Sequence, residues 1–254
     1  MKQIISFLLR KVPRKYLQMV SHYGLRILAV FYAGSKVNCP VCGSSFRKFL
    51  PYGRQSRENA LCPKCLALER HRLIWIYLQR KTDFFSKKQK MLHIAPELCF
   101  MDRFENLANL DYITGDIESP LAKVKMDIHK IPFEQETFDV VFCNHVLEHV
   151  DDDILAMKEM RRVLKPGGWA ILQVPFFYPL PEKTLEDKSI TQPKDREKAF
   201  GQDDHVRLYG KDYADRLRSA GFKVTEDLIV EQLEEKEVLR YALPKNEIIY
   251  RVEK

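Results

Sequence analysis

Four cysteines carry the clearest chemistry in this chain. They fall in two pairs, Cys39-Pro40-Val41-Cys42 and Cys62-Pro63-Lys64-Cys65, with residues 43–61 between them. Two residues between thiolates let one tight turn present both sulfurs to a single ion, and Gly43 frees the backbone for that turn. Two such turns make a tetrahedral sulfur cage. That is the closed arrangement of a structural zinc site, which keeps no open coordination position for catalysis. Iron in the same cage, or a redox dithiol, are the competing readings. Cys99 and Cys143 stand alone and read as core residues, and His71 reads as a surface helix residue rather than a fifth ligand.

The elements around these residues follow from periodicity and composition. The chain has 254 residues, 45% apolar and 30% charged, as in a globular protein with one large domain, or a mid-sized and a small one. Its net charge of +7 is uneven. Residues 1–57 hold eleven Lys and Arg and no acid, and the remainder is net acidic. Residues 1–36 read as a basic helical leader with apolar residues on one side. One reading places it on an anionic membrane surface, and the other packs it as a helix pair on the catalytic domain. No apolar run is long enough for a transmembrane helix, and no signal peptide is read, so the expected location is cytoplasmic, with the leader at the inner membrane face under the first reading. Residues 37–82 form the cysteine module and a following helix from Leu66 to about Lys81. From residue 90 to 254, strands alternate with helices, the signature of a parallel sheet. Strands are expected at 91–95, 111–117, 124–128, 138–144 and 169–175. Helices are expected at 98–107, 151–164 (stopped by Pro166-Gly167-Gly168) and 211–220, with two further strands in 223–230 and 246–252.

Two blocks in this C-terminal part are specific. One is Ile131-Pro132-Phe133-Glu134-Gln135-Glu136-Thr137-Phe138-Asp139-Val140-Val141. The other is Val146-Leu147-Glu148-His149-Val150 followed by Arg162-Val163-Leu164-Lys165-Pro166-Gly167-Gly168. They resemble the core of class I S-adenosylmethionine-dependent methyltransferases, and the resemblance covers about residues 90–254. The cysteine module with its continuation resembles the zinc-ribbon-like leader of a subset of bacterial members. The implied fold is α/β, a Rossmann-like seven-stranded sheet with a small N-terminal helical and zinc-ribbon-like module.

The resemblance implies S-adenosylmethionine as cofactor and assigns its contacts. Asp116 ends the second strand, where an acid binds ribose hydroxyls, and Ile117 follows it. Asp127 takes the position that accepts from the adenine amino group, with Ile128 flanking the ring. Asn144 and His145 end the fourth strand, facing the methyl group or the methionine part. The family's first-strand acid and glycine-rich turn are replaced by Leu92-His93-Ile94-Ala95-Pro96-Glu97. His93 stands for the acid, Ala95 is small enough for close approach, and Glu97 has the charge to bind the cofactor's ammonium. Methyl transfer needs alignment above all, and an oxygen acceptor often needs a base. His145 and His205 are the catalytic candidates, His205 lying in Asp203-Asp204-His205-Val206-Arg207, where Arg207 would bind an anionic substrate group. The expected acceptor is a small molecule or glycan. An RNA methyltransferase, favoured by the basic leader, and a non-catalytic binding module, favoured by the lost glycines, are the alternatives.

Overall fold

The computed structural model describes residues 29–53 and 56–254. The leader expected over residues 1–36 lies outside the described residues as far as residue 28. Its last residues are not helical, because a strand begins at Ala33. Among the described residues no helix is long and apolar enough to cross a membrane.

The chain forms two compact units. Of the described residues, the first takes those from 29 to 85, with 97–106 and 228–247. Within it, β1 (Ala33–Asn38) pairs antiparallel with β2 (Ser45–Phe46), and β3 (Leu50–Tyr52) with β4 (Arg57–Leu61). Helix α1 (Glu69–Lys81) follows, and α2 (Leu98–Phe104) brings Phe100 and Phe104 into parallel stacks with Trp75 of α1. A 3-10 turn (Ile229–Gln232) and a later helix (Glu235–Tyr241) complete the unit, tied to α1 by Arg80 to Glu237 at 2.5 Å. Arg72 of α1 is fully buried. Its guanidinium lies over the Phe49 ring and donates to the carbonyls of Asn59, Ala60, Ala67, Tyr241 and Ala242. Five carbonyl acceptors take the place of a carboxylate and fasten three parts of the unit to one side chain.

The second unit, residues 86–96, 107–227 and 248–254, holds a seven-stranded sheet. Its members are β5 (Gln89–Ile94), β6 (Leu110–Asp116), β7 (Val124–Lys125), β8 (Phe138–Asn144), β9 (Leu164–Gln173), β12 (Lys223–Asp227) and β13 (Ile249–Glu253). The spatial order is β12-β13-β9-β8-β5-β6-β7, and all neighbours are parallel except those of β13. Strand β8 is buried almost throughout, which is why FDVVFCN is a nearly continuous apolar run. The order reverses direction between β5 and β8. This is the switch point at which doubly wound Rossmann-like sheets open a crevice beyond the carboxyl ends of their strands.

Helices α3 (Asp153–Val163), α4 (Pro193–Phe200) and α5 (Tyr213–Ser219) also belong to this unit, with the short ladder of β10 (Leu185–Glu186) and β11 (Arg207–Leu208). Helix α3 starts on Asp152, whose carboxylate accepts from Leu155 N. The helix expected to stop at Pro166-Gly167-Gly168 ends at Val163, and these three residues lie within β9, which starts before the expected Trp169. The register jumps from Phe138 opposite Leu164 to Val140 opposite Trp169, so the extra residues form a bulge. The unit boundaries also differ from those that composition suggests. Residues 97–106 and 228–247 pack with the cysteine-bearing unit although they lie within the 90–254 span.

Candidate functional site

The first unit carries the thiol site, built from two nearly identical knuckles. After each Cys-x-x-Cys pair one residue takes the left-handed backbone, Gly43 at φ 70° and Leu66 at φ 64°. Gly43 N donates to Cys39 O and Leu66 N to Cys62 O. Cys39 N and Cys62 N donate in turn to Ser44 O and Ala67 O. Only Gly43 is suited by type to that conformation, so the second knuckle is not visible in composition.

The four thiol sulfurs gather within 4.8 Å of one another, with Cys39 to Cys65 at 3.6 Å and Cys42 to Cys62 at 3.8 Å. Zn–S bonds of about 2.3 Å place tetrahedral sulfurs about 3.8 Å apart, so the cage has the dimensions of a zinc site. Arg72 adds a buried positive charge that acts on Cys39, Cys62 and Cys65, opposing the net negative charge of a four-thiolate site. Burial lowers the Arg72 pKa from its ordinary value. Arg72 was not read as functional from the sequence, although it shares the buried face of α1 with Leu73 and Ile76.

His71 is not a surface residue. It is buried, and its Nδ1 accepts from Leu68 N, capping the start of α1. The proton then sits on Nε2, which lies 3.6 Å from Glu97 Oε1. Glu97 belongs to this first unit, and its carboxylate faces that imidazole.

The second unit gathers Ala95, Asp116, Asp127, Asn144 and His145 at or just beyond the carboxyl ends of β5 to β8. Ala95 has φ 48°, and its amide donates to Gly115 O at 2.8 Å. The left-handed turn that glycine usually occupies is therefore retained with an alanine in it. Gly115 is required for a different reason, since a Cβ there would meet Met126 Sδ at 2.4 Å.

Asp116 Oδ1 accepts from Glu118 N and Ser119 N, both at 2.7 Å, so the loop beyond β6 holds the carboxylate by one oxygen. Ile117 beside it is 57% exposed, an apolar side chain left on the surface next to a candidate ligand position. Asp127 Oδ1 accepts from the backbone amide and Nδ1 of His129, both at 2.8 Å, and His129 Nε2 accepts from Asp152 N. The backbone hydrogen bond from His129, then its side chain, lower the Asp127 pKa from its ordinary value. Ile128 is buried in the core. His129 as the holder of Asp127 was missed in the sequence; its only signal is its place two residues on, where an Asp side chain reaches the backbone.

His93 does not join this group. It lies inside β5, fully buried, with Nδ1 2.7 Å from Tyr112 Oη and its ring against Phe142. Strand alternation puts it on the face opposite Leu92 and Ile94, so its side chain packs the sheet rather than lining the strand end.

The histidines beyond β8 cluster. His145 has φ 56°, donates its amide to Gln173 O, and holds Nδ1 3.6 Å from Glu148 Oε1. His149 and His205 stack edge to face with ring centroids 4.9 Å apart. Arg207 does not serve as an open anion receptor. It is 2% exposed, binds Glu186 Oε1 at 2.5 Å, and donates to the carbonyls of Leu147, Val150 and Asp151. Asp153 lies alongside, holding Arg216 at 2.6 Å and accepting from Tyr209 Oη at 2.8 Å. Burial would raise the Asp153 pKa, but Arg216, Arg207 and Tyr209 outweigh it and hold the carboxyl below its ordinary value. A cavity of about 330 Å³ opens beside this network, lined by Asp151, Glu186, Lys188, Arg196 and Arg207. It includes none of the strand-end residues named above.

Residues 89–172 match the family described as methyltransferase domain. The chain is 39% identical over 77 residues to the tRNA U34 carboxymethyltransferase of Nautilia profundicola, covering 30% of this chain and 24% of that one. It is 36% identical over 83 residues to the demethylmenaquinone methyltransferase of Staphylococcus carnosus, covering 33% and 28%. The chain thus spans about a quarter of the length of these relatives. A solved S-adenosylmethionine-dependent methyltransferase from Archaeoglobus fulgidus superposes with a TM-score of 0.48 at 14% identity, over 75% of this chain and 96% of that one.

Proposed function

We propose that this chain is an S-adenosylmethionine-dependent methyltransferase acting on a small molecule or glycan, with a structural zinc in its thiol cage. The observation that carries the reading is the row of Ala95, Asp116, Asp127 and Asn144 at the strand ends flanking the switch point, within a segment that matches the methyltransferase domain family. S-adenosylmethionine supplies an electrophilic methyl group on a sulfonium.

The chain's own residues do the rest. Asp116, fixed through Oδ1, offers its carboxylate to the ribose hydroxyls, and Ile117 gives the adenosine an apolar neighbour. Asp127, oriented by His129, accepts from the adenine amino group, and Ile128 supports the ring position from the core. The left-handed turn at Ala95 leaves only a methyl side chain where the backbone must come close to the ligand. Asn144 lines the methionine end. Of the two histidines, His145 suits the base for an oxygen acceptor, since it is only half buried and stands just beyond the end of β8. His205 is 1% exposed, too enclosed to reach an acceptor directly.

Calorimetry with S-adenosylmethionine and with S-adenosylhomocysteine tests this reading. Binding of either, weakened by Asp116→Ala, supports it. Absence of binding at millimolar cofactor sinks it and leaves a non-catalytic scaffold.

RNA is the second reading of the acceptor, supported by eleven basic residues and no acid in residues 1–57 and by the likeness to a tRNA-modifying enzyme. Binding to bulk RNA that falls steeply with salt would favour it, and no binding at low salt would remove it.

A further inference from the structure

We propose that Glu148, His149 and His205 form a second metal site, which takes a divalent first-row transition ion through two imidazoles and one carboxylate. One ligand atom from each of the three residues lies within 4.8 Å of the others, and His149 Nε2 is 3.8 Å from Glu148 Oε1. Ligation at about 2.1 Å brings such atoms to about 3–3.5 Å from one another, so closing on an ion needs side-chain shifts of an ångström or less.

The protonation pattern is already that of a ligand set. His149 Nδ1 lies 3.2 Å from Asp204 O, and His205 Nδ1 lies 3.2 Å from Phe200 O. A carbonyl oxygen can only accept, so both rings carry their proton on Nδ1, and in the neutral form both present the Nε2 lone pair. Metal-binding imidazoles are held in this way, with the far nitrogen donating to a carbonyl or carboxylate. The Asp204 carboxylate, 3.8 Å from His149 Nδ1, adds charge on the same outer side.

Glu148 is 1% exposed, and His145 Nδ1 stands 3.6 Å from the same Oε1, so the imidazoles of His145, His149 and His205 all stand near the carboxylate. A buried carboxylate between imidazoles favours a positive charge at its centre, and a divalent ion supplies it. His205 is buried as well, whereas His149 is partly open to solvent. Three protein ligands leave at least one coordination position for an oxygen ligand, either water or an oxygen-bearing acceptor. The set is chemically distinct from the thiol cage, being nitrogen and oxygen where the other is sulfur.

The test is a titration of the 254-residue chain, loaded beforehand with one equivalent of zinc, with Co2+, followed by calorimetry and visible absorption. It reads metal alone, so its outcome stands whether or not the chain transfers methyl groups. One further ion per chain is expected, without the thiolate-to-cobalt charge-transfer band that exchange into the cysteine cage would produce. His149→Gln, chosen because the residue is partly exposed and the variant should keep its fold by circular dichroism, should weaken binding at least tenfold. His205→Gln should do the same if it folds. The proposal is overturned if no heat appears up to millimolar Co2+, if the ion enters with only the thiolate band, or if folded His149→Gln binds as tightly as the parent.

Discussion

The amide of Val206 donates to the carbonyl of Glu148 across 2.9 Å. The residue after His205 is thereby fixed to the peptide that joins Glu148 to His149. Arg207, next in the chain, reinforces the link through the carbonyls of Leu147 and Val150. The loop beyond β8 and the strand β11 segment, 57 residues apart from Glu148 to His205 in sequence order, therefore hold one cluster as a unit. Within that cluster, Arg207 is the fastening and the histidines are the groups it positions.

Replacing Asp116 with alanine removes the carboxylate that would receive the ribose hydroxyls. Hydrogen bonds to a charged group contribute about 1.5–3 kcal/mol each, so the dissociation constant for S-adenosylhomocysteine should rise on the order of 100-fold. Calorimetric titration reads this directly, and an unchanged affinity would reject the ribose role.

Ala95 supplies a conformational test. A left-handed backbone costs a non-glycine residue about 1–2 kcal/mol, while glycine adds about 0.5–1 kcal/mol of chain entropy to be lost on folding. Ala95→Gly should therefore match or exceed the parent in stability, by up to about 1 kcal/mol, and should keep cofactor affinity. Ala95→Val should lose stability, because a β-branched residue is strained at that φ. Thermal melts compare the three, and a glycine variant clearly less stable than the parent would contradict the geometry.

Asp153→Asn removes the one carboxylate shared by Arg216, Tyr209 and Arg207. Breaking a buried pair by deleting one partner costs about 3 kcal/mol or more, which should lower the denaturant midpoint without abolishing the fold. The pH dependence follows from the direction of the shift. The folded pKa lies below the ordinary value of 3.8, so the stability this group contributes is complete above that value and is lost as pH falls through the folded pKa. Acid unfolding of the variant should accordingly be less steep below about pH 4; equal steepness in parent and variant would show that Asp153 is not the group responsible.

For the thiol cage, Cys39→Ser should cost the protein one zinc per chain relative to the parent, measured by elemental analysis, and should destabilise the cysteine-bearing unit. Structural zinc sites contribute on the order of 10 kcal/mol to the folding of small modules, so the loss should be evident in a melt. Zinc content equal to the parent's would show that the four thiols are not one site.

Much of this was legible in the sequence, and the gaps have identifiable causes. The Cys-x-x-Cys spacing indicated one thiol cluster because a two-residue gap leaves few geometries. Strand β8 was readable to the residue because both its faces are buried and, after Asp139 near its start, Val140 to Cys143 form an unbroken apolar run up to Asn144. Asp116 was placed at a strand end by the pattern that precedes it. Other features depend on contacts far apart in sequence. Arg72 and Arg207 look like surface cations until the carbonyls that surround them are known. His71 looked exposed because its cap partner is the backbone of Leu68, which leaves no compositional trace. Pro166-Gly167-Gly168 signalled a stop, whereas the pairing of Leu164 with Phe138 starts β9 earlier and converts the glycines into a bulge. His93 took the family's acidic position by resemblance, but strand alternation and its contact with Tyr112 assign it to packing.

The discontinuity of the cysteine-bearing unit has a consequence for the order in which the protein is made. All four thiols and Arg72 precede the seven-stranded sheet in the chain, so the thiol cage can close before the sheet is made. The carbonyls of Tyr241 and Ala242 that Arg72 requires are synthesised some 170 residues later. Between these events the whole seven-stranded sheet except β13 is translated. During that interval the Arg72 guanidinium lacks two of its five carbonyl acceptors, a deficit that truncation before Tyr241 would make permanent.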